Sequence, residues 1–299
     1  MKLVTIMKYN RSTLGVKMEE GIVDIAAAVT NQPSASQQVP TEVMDVINGG
    51  EEASQALQSF IESLDTKSNS PYVFNENEID WGPCVTNPSK IICVGLNYRK
   101  HAEETNAPYP ESPILFNKFN NTLTGNLKDI AVPKTTEQLD YEVELGIVIG
   151  ETSKDIPKDK ALDNVFGYCT SNDLSARDLQ FKTNQWLLGK TCDGFSPVGP
   201  YLVTKDEVAD PNNLALKTTV NGEVRQNSNT SDMIFYCDEI VSYISQYMTL
   251  SPGDIILTGT PEGVVLGLPE EDRVYIQPGD EVTVEIEQLG ALTNTFVAE

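Results

Sequence analysis

Histidine is nearly absent from this sequence: His101 is the only one in 299 residues. A catalytic zinc site usually combines several imidazole or thiolate ligands. The shortage of histidine therefore argues against zinc, and any bound metal is expected to be a hard divalent ion held by oxygen ligands.

Cysteine is also scarce, and its spacing argues against two further kinds of site. The cysteines are odd in number and widely separated, and no C-x-x-C pair occurs among them. Such spacing indicates neither a disulfide framework nor a thiolate zinc site. We expect all five to be reduced: Cys84, Cys93, Cys169, Cys192 and Cys237.

Basic residues and long apolar runs are few, and both shortages bear on the partners of the protein. There are 21 basic against 44 acidic residues, a formal charge of −23, which repels nucleic acid and anionic membranes. No run approaches the roughly 18 apolar residues of a membrane span, and polar residues interrupt the N-terminus before a signal-like stretch forms. We expect a soluble, cytoplasmic protein that binds small molecules or copies of itself.

Three common nucleotide-binding and hydrolase motifs are missing as well. The sequence has no G-x-G-x-x-G after a strand, no G-x-x-x-x-G-K-[ST] and no G-x-S-x-G. These absences weaken the dinucleotide-binding, P-loop and serine-hydrolase interpretations.

The beginning of the chain, residues 1–75, predicts a small α+β region. It alternates like two or three short strands with turns at Tyr9–Arg11 and Glu19–Gly21. A polar linker, residues 30–40, then leads to one or two helices interrupted by Gly49–Gly50.

The rest of the chain, residues 80–299, predicts a larger domain that is mainly β. From Pro83 onward, short apolar strands alternate with turns, and Pro-Gly-Asp sequences at Pro252–Asp254 and Pro278–Asp280 precede two of the strands. Many short strands with few helices are typical of a closed or folded sheet. We therefore predict an α+β fold, mainly β, with short helices.

The stretch LDYEVELGIVIG, residues 139–150, is typical of a buried strand, yet it carries two glutamates. Alternate side chains of a strand share a face, so Glu142 and Glu144 lie side by side and need a compensating cation in an apolar setting. Asp173 follows the apolar strand at residues 165–170. Three such carboxylates suit a divalent ion. The alternatives are a half-exposed acidic strand and a helix N-cap for Asp173.

A second group of polar residues lies in CVGLNYRKHAEETNAPYPESP. Residues three apart are neighbours on a helix, so His101 meets Glu104. A carboxylate beside an imidazole orients it for work as a general base on water. Glycine and proline flanks suit a mobile lid. The alternative is a solvated pair on the surface.

Two further segments carry candidate substrate-binding groups. In WLLGKTCDGFSPVGP, Lys190 follows a glycine at the end of an apolar run and can neutralise an enolate or a carboxylate. In LTGTPEGV, residues 257–264, backbone N–H groups and the hydroxyls of Thr258 or Thr260 can hold a carboxylate. The alternatives are a solvated lysine and a simple tight turn.

Taken in order, these segments resemble the fumarylacetoacetate hydrolase family from about Pro88 to the C-terminus. The resemblance rests on the number and order of the motifs KIICVGLNYRKHAEE, LDYEVELGIVIG, NDLSARDLQ, GKTCDGFSPVGP, NGEVRQ and LTGTPEGV. It implies the β-sandwich-roll fold of that family, usually assembled as a homodimer. The N-terminal region, by contrast, carries no comparable motif.

The resemblance also implies a role for each residue at a matching position. The family holds Mg²⁺ or Mn²⁺, with Ca²⁺ as a substitute, and closes a lid over the substrate. The implied metal ligands are Glu142, Glu144 and Asp173, the dyad is His101 and Glu104, the substrate-facing cation is Lys190, and the substrate-binding positions are Arg177, Gln180 and Thr260.

Members of this family stabilise an enolate of a keto acid but differ in what leaves. The dyad favours hydrolysis of a C–C bond in a fumarylacetoacetate-like or acylpyruvate-like dioxo acid, because a water nucleophile needs a base. The alternatives are oxaloacetate decarboxylation, 2-hydroxyhepta-2,4-diene-1,7-dioate isomerisation on the same site, and a non-catalytic protein that binds a metal or metabolite.

Overall fold

A computed structural model of the chain describes residues 1–32, 39–67 and 69–299. The predicted polar linker, residues 30–40, overlaps positions 33–38, which lie outside the described residues. Within the described ranges, no helix is both long enough and apolar enough to cross a membrane.

The described residues form short strands and a few helices, which confirms the predicted fold class. The strands are β1 Lys2–Lys8, β2 Arg11–Met18, β3 Gly21–Asp24, β4 Val73–Phe74, β5 Ile91–Gly95, β6 Ile114–Lys118, β7 Leu123–Thr124, β8 Asp129–Val132, β9 Leu139–Asp140, β10 Val143–Ile149, β11 Val165–Asn172, β12 Ser175–Ala176, β13 Ser196–Thr204, β14 Ala215–Val220, β15 Glu223–Asn229, β16 Ile255–Leu257, β17 Glu281–Ile286 and β18 Gly290–Ala298. The helices are α1 Ile25–Asn31, α2 Val43–Glu62, α3 Arg99–Glu104, α4 Arg177–Gln180, α5 Leu187–Lys190 and α6 Cys237–Tyr247.

The N-terminal elements follow the sequence prediction except at Ile25–Asn31, where helix α1 lies between the strands and the rest of the predicted linker. Strands β1, β2 and β3 are joined by turns at residues 9–10 and 19–20. Helix α2 is kinked at Gly50, whose φ of 59° and ψ of −138° are not helical. Strand β1 pairs with β13, so the N-terminal strands extend the sheet of the rest of the chain. The division of the chain near residues 75–80 stays a prediction.

Two main sheets organise the part of the chain that the structure describes. An eleven-stranded sheet has the order β4-β3-β2-β1-β13-β11-β10-β16-β5-β6, with β7 beside β13. A five-stranded sheet has the order β15-β14-β17-β18-β8, and β9 pairs with β12. Most neighbouring strands are antiparallel, whereas β16 and β5 run parallel, as do β18 and β8.

The two Pro-Gly-Asp sequences form turns directly before strands β16 and β17, as predicted. Gly253 has a φ of 83° and Gly279 a φ of 102°. Glycine adopts this left-handed region without the steric cost that a Cβ brings. These glycines therefore allow the chain to reverse just before it enters each sheet.

Apolar side chains cover both faces of the large sheet around strand β10. Ile147 belongs to a core that also contains Phe296 of the five-stranded sheet. Its neighbour Val148 belongs to a second core that contains Leu57 of helix α2. Successive side chains of a strand point to opposite faces, and every residue of β10 is buried. Carboxylates next to such a strand are consequently cut off from water.

Candidate active site

The predicted strand at residues 139–150 is divided into β9 and β10 by Tyr141 and Glu142. At this gap the N–H of Glu142 donates to Oδ1 of Asn172 at 2.9 Å. The N–H of Asp173 in turn donates to the carbonyl of Glu142 at 2.8 Å. These hydrogen bonds bring Glu142 and Asp173 together at the adjoining ends of β10 and β11.

The three predicted metal ligands, Glu142, Glu144 and Asp173, form one buried cluster. One carboxylate oxygen of each lies within 4.8 Å of the other two. The side chains are buried, with Glu142 the most exposed at 5%, so the half-exposed acidic strand does not apply. Nor is Asp173 a helix cap, because the N-cap of α4 is Ala176.

Three buried cations neutralise two of these carboxylates. Lys118 donates from Nζ to Oδ1 of Asp173. Lys190 donates to Oε2 of Glu142 at 2.6 Å and to Oδ2 of Asp173 at 2.8 Å. Nη2 of Arg177 donates to Oε1 of Glu142 at 2.7 Å. Glu142 and Asp173 are each in contact with two positive charges.

Glu144 is the exception, because the only hydrogen bond of its carboxylate among the described residues is the one it accepts from the N–H of Gly259, at 2.8 Å. Burial, and then the charges of the other two carboxylates, raise the pKa of Glu144 well above its ordinary value. Burial acts in the same direction on Glu142, but Lys190 and Arg177 lower its pKa to about 2. No cationic side chain among the described residues forms an ion pair with the carboxylate of Glu144.

This donor set fits a hard divalent cation. All three donors are carboxylate oxygens, which Mg²⁺, Mn²⁺ and Ca²⁺ prefer over nitrogen or sulfur. A cation here would neutralise Glu144, the carboxylate of the three that has no ion-pair partner in the part of the chain that the structure describes. Glu142, Glu144 and Asp173 would hold the ion, and it would serve as a Lewis acid for the oxygens of a chelating substrate.

His101 and Glu104 of helix α3 form the predicted contact. Nδ1 of His101 lies 2.7 Å from Oε1 of Glu104, and His101 is only 7% exposed, so this is not a solvated surface pair. Oε2 of Glu104 accepts from the N–H of Gly263 at 2.9 Å. A Cβ on Gly267 would lie 2.5 Å from Cδ of Glu104, so glycine allows the loop to approach this carboxylate. Nε2 of His101 is left to exchange a proton.

A cavity of about 200 Å³ is lined by Glu142 and Glu144 of the cluster and by His101. Several polar side chains line it next to Glu142 and Glu144, namely Arg177, Gln180, Lys190 and Thr260. The remaining wall is largely apolar and includes the rings of Phe116 and Trp186, which pack edge to face at 5.4 Å. The cavity therefore combines an oxygen-rich, charged part with an aromatic part.

Arg177 is bound mainly to neighbouring protein groups. Its Nε donates to Oδ2 of Asp140 at 2.9 Å, its Nη1 donates to Oε1 of Gln180 at 2.9 Å, and its Nη2 binds Glu142. Asp140 also accepts from the N–H of Val265 at 2.9 Å. Although burial disfavours its charge, Asp140 and Glu142 raise the pKa of Arg177 above its ordinary value. Arg177 thus links the carboxylate cluster to the loop that contacts Glu104.

The loop at residues 257–264 uses most of its predicted donors within the protein. The hydroxyl of Thr258 donates to the carbonyl of Leu145 at 3.0 Å, and the N–H of Gly259 donates to Glu144. Thr260 lines the cavity. Of the two threonines named from the sequence, Thr260 is the one positioned to meet a substrate.

Sequence reasoning missed three buried polar residues near the site. Asp140 stands two residues before Glu142, so the alternation that pairs Glu142 with Glu144 is also a signal for Asp140. Gln226 lies within the motif NGEVRQ, but no role follows from the motif alone. Lys118 ends strand β6 with no pattern that distinguishes it from a surface lysine.

The family model described as fumarylacetoacetate (FAA) hydrolase C-terminal matches residues 90–297. A protein of Xenopus laevis named oxaloacetate tautomerase fahd2, mitochondrial, is 41% identical over 288 residues. That match covers 95% of this chain and 86% of the frog protein.

Two solved structures share the fold over the whole chain. The fumarylacetoacetate hydrolase of Exiguobacterium antarcticum is 35% identical, with a TM-score of 0.82 and full coverage of both chains. The maleylpyruvate hydrolase of Sphingobium sp. SYK-6, solved with a manganese(II) ion and pyruvate, is 28% identical, with a TM-score of 0.79. That match covers 100% of this chain and 99% of the other.

Proposed function

The chain belongs to the fumarylacetoacetate hydrolase family, and on that premise we propose that it is a metal-dependent enzyme that interconverts the enol and keto forms of oxaloacetate. The observation that carries this proposal is a cavity lined both by the buried carboxylates Glu142 and Glu144 and by His101, which Glu104 contacts. The frog relative named as an oxaloacetate tautomerase supports the choice of reaction.

Enol–keto interconversion moves one proton between the oxygen on C2 and the carbon C3, while the double bond shifts between C2–C3 and C2–O. Glu142, Glu144 and Asp173 would hold a divalent ion, which would act as a Lewis acid toward the oxygens of a 2-oxo acid. His101 accepts the proton at Nε2 from one position and returns it to the other. Glu104 binds Nδ1 and keeps the imidazole in one orientation.

The other lining residues bind and orient the substrate in this proposal. Lys190 places its ammonium beside Glu142 and Asp173 on the cavity, where it favours negative charge on a nearby oxygen. Arg177 and Gln180 are buried partners that shape the polar wall. The hydrogen bond from Arg177 to Gln180 keeps that wall fixed while the substrate enters.

A second candidate function is the hydrolysis of a C–C bond in an acylpyruvate-like or fumarylacetoacetate-like dioxo acid. Two observations favour it: the His101–Glu104 pair can activate water, and the apolar wall with Phe116 and Trp186 suits an acyl group. The structural similarity to a maleylpyruvate hydrolase adds support. Oxaloacetate decarboxylation would use the metal ligands but would not need a base to start.

An assay on several substrates tests these functions together. We expect Mg²⁺ or Mn²⁺ to be required for faster decay of the ultraviolet absorbance of enol-oxaloacetate, with no acceleration after EDTA treatment. Acetylpyruvate and fumarylacetoacetate report hydrolysis, and pyruvate release from oxaloacetate reports decarboxylation. Turnover of the dioxo acids without tautomerisation would select the hydrolase. No turnover of any substrate would favour a non-catalytic binding protein.

The assembly and cellular location stay predictions from the sequence. A homodimer is expected from the family resemblance, and light scattering after size exclusion measures it directly. The cytoplasmic location is likewise an expectation, whereas the name of the frog relative places that protein in mitochondria. Fractionation of cells that express the native protein distinguishes the two compartments.

A further inference from the structure

Gln226 is a buried glutamine of strand β15 to which the mechanism above gives no role. Its side chain is 1% exposed. Oε1 accepts from the N–H of Val143 at 3.0 Å and from the hydroxyl of Thr218 at 2.7 Å. Nε2 donates to Oγ1 of Thr260 at 2.9 Å and to the carbonyl of Pro261 at 3.0 Å. All the donors and acceptors of this amide are therefore used.

Two backbone groups determine the orientation of the amide. The N–H of Val143 can only donate and the carbonyl of Pro261 can only accept. A flipped amide would place two donors against each other at Val143 and two acceptors against each other at Pro261. Nε2 is therefore the atom that faces Thr260, and Oγ1 of Thr260 is the acceptor in that hydrogen bond.

This arrangement decides where the hydroxyl proton of Thr260 points. A lone pair of Oγ1 faces Nε2 of Gln226, so the proton must point away from it. In the parts of the chain that the structure describes, Oγ1 makes no second hydrogen bond. Thr260 lines the cavity, and its proton is free to meet an acceptor there.

We propose that Gln226 is a positioning residue that makes Thr260 a hydrogen-bond donor to a carboxylate or carbonyl oxygen of the substrate. The inference rests on the proposed function, because a 2-oxo acid brings such an oxygen into the cavity. Without Nε2, the hydroxyl of Thr260 loses the donor that fixes its orientation, and the carbonyl of Pro261 loses its donor as well. The effect of Gln226 on binding is therefore transmitted through Thr260.

The other end of the same amide contacts the strand of the metal ligands. Val143 lies between Glu142 and Glu144, so Oε1 of Gln226 supports the backbone from which both carboxylates project. A substitution of Gln226 can thus disturb metal binding as well as Thr260. The test separates these effects by measuring Mn²⁺ affinity first and substrate-analogue affinity at saturating Mn²⁺.

The experiment is a double-mutant cycle read by calorimetry, with pyruvate as the probe. We expect Gln226→Met and Thr260→Val each to raise the Kd for pyruvate roughly 10- to 100-fold, as for a lost hydrogen bond to a charged group. The pyruvate Kd of the double variant should exceed the larger of the two single-variant Kd values by no more than about threefold, because both substitutions remove the same interaction. Gln246→Met, the same change at an exposed position of α6, should leave the Kd unchanged.

The conservative variant Thr260→Ser keeps the hydroxyl and should keep the pyruvate Kd near that of the wild type. Multiplied effects in the double variant, or an unchanged Kd for Gln226→Met, would overturn the inference. If Gln226→Met does not fold, an unchanged Kd for Thr260→Val would overturn it instead. If the Mn²⁺-loaded wild type fails to bind pyruvate, the proposed substrate class itself is wrong and the inference falls with it.

Discussion

The carboxylate cluster and the His101–Glu104 pair belong to one candidate site but are held in different ways. The cluster lies at the ends of two central strands and is surrounded by three buried cations. The pair projects from a helix of six residues, and Glu104 is anchored by a single backbone N–H, that of Gly263. The carboxylate cluster is held by ion pairs, whereas the pair is held by the hydrogen bonds that connect His101, Glu104 and Gly263.

Because of this difference, substitutions in the cluster and in the pair should have different effects on folding and on the reaction. Buried charges stabilise the fold only when each has a partner, so a change within the cluster should affect folding and metal binding together. A change in the helix of the dyad removes no buried ion pair with the cluster, so it should affect the reaction far more than the fold. Four predictions compare the cluster and the pair.

The largest effect is expected for Glu144→Gln. The substitution keeps the shape of the side chain but removes the negative charge that a bound cation would neutralise. Turnover should fall on the order of 10³-fold or more, since charge stabilisation at the reacting oxygens is lost. Calorimetry should show weaker Mn²⁺ binding in the same variant. Turnover close to wild type with an unchanged Mn²⁺ Kd would remove Glu144 from the metal site.

Lys118→Met should produce the next largest effect, this time on stability. It leaves the buried carboxylate of Asp173 with one cation fewer, and breaking a buried pair costs about 3–5 kcal/mol. The matched control is Lys217→Met, which breaks an exposed pair with Glu285 and should cost about 0–1 kcal/mol. Urea unfolding without metal measures both. Equal losses of unfolding free energy in the two variants would show that burial does not strengthen the pair of Lys118 and Asp173.

Substitutions of the dyad should lower activity with little change in folding. His101→Ala is expected to reduce turnover roughly 10²-fold or more, as for a lost general base, and Glu104→Gln should have a smaller effect in the same direction. Glu103→Gln changes the neighbouring, exposed glutamate and should be neutral. The Kd for Mn²⁺ should stay constant in all three. A matched loss of Mn²⁺ binding would contradict the separation of the cluster and the pair.

The smallest effect concerns pH. The raised pKa of Glu144 means that the metal-free fold keeps a proton which the unfolded chain releases near the ordinary value of 4.5. That contribution to stability is complete below this value and is lost as pH rises toward the folded pKa, by at most about 1.4 kcal/mol per pH unit. Urea unfolding of the metal-free wild type and of Glu144→Gln should show this slope only in the wild type. A parallel pH dependence in both would assign the slope to other groups.

The local parts of the site were predictable, and the long-range parts were not. Strand alternation placed Glu142 beside Glu144, and helical spacing placed His101 beside Glu104. Each of these predictions depends on neighbours within four residues of the chain. The family resemblance, and not periodicity, assigned the roles.

Contacts between distant segments could not be predicted from the sequence, for a physical reason. Lys118 and Asp173 are 55 residues apart, and Asp140 binds the N–H of Val265 across 125 residues. The run of paired strands β6-β5-β16-β10-β11 brings these groups together. The partners of the carboxylates therefore had to be read from the fold.

The proposed activity depends on the binding of a divalent cation by Glu142, Glu144 and Asp173. A thermal unfolding series with increasing Mn²⁺ measures this binding. At a hundredfold excess over Kd, binding to the folded state alone adds about 2.7 kcal/mol, so the Tm of the wild type should rise by several degrees. The Tm of Glu144→Gln should rise much less. A wild-type Tm that stays constant up to saturating Mn²⁺, together with full activity after exhaustive EDTA treatment, would contradict the claim.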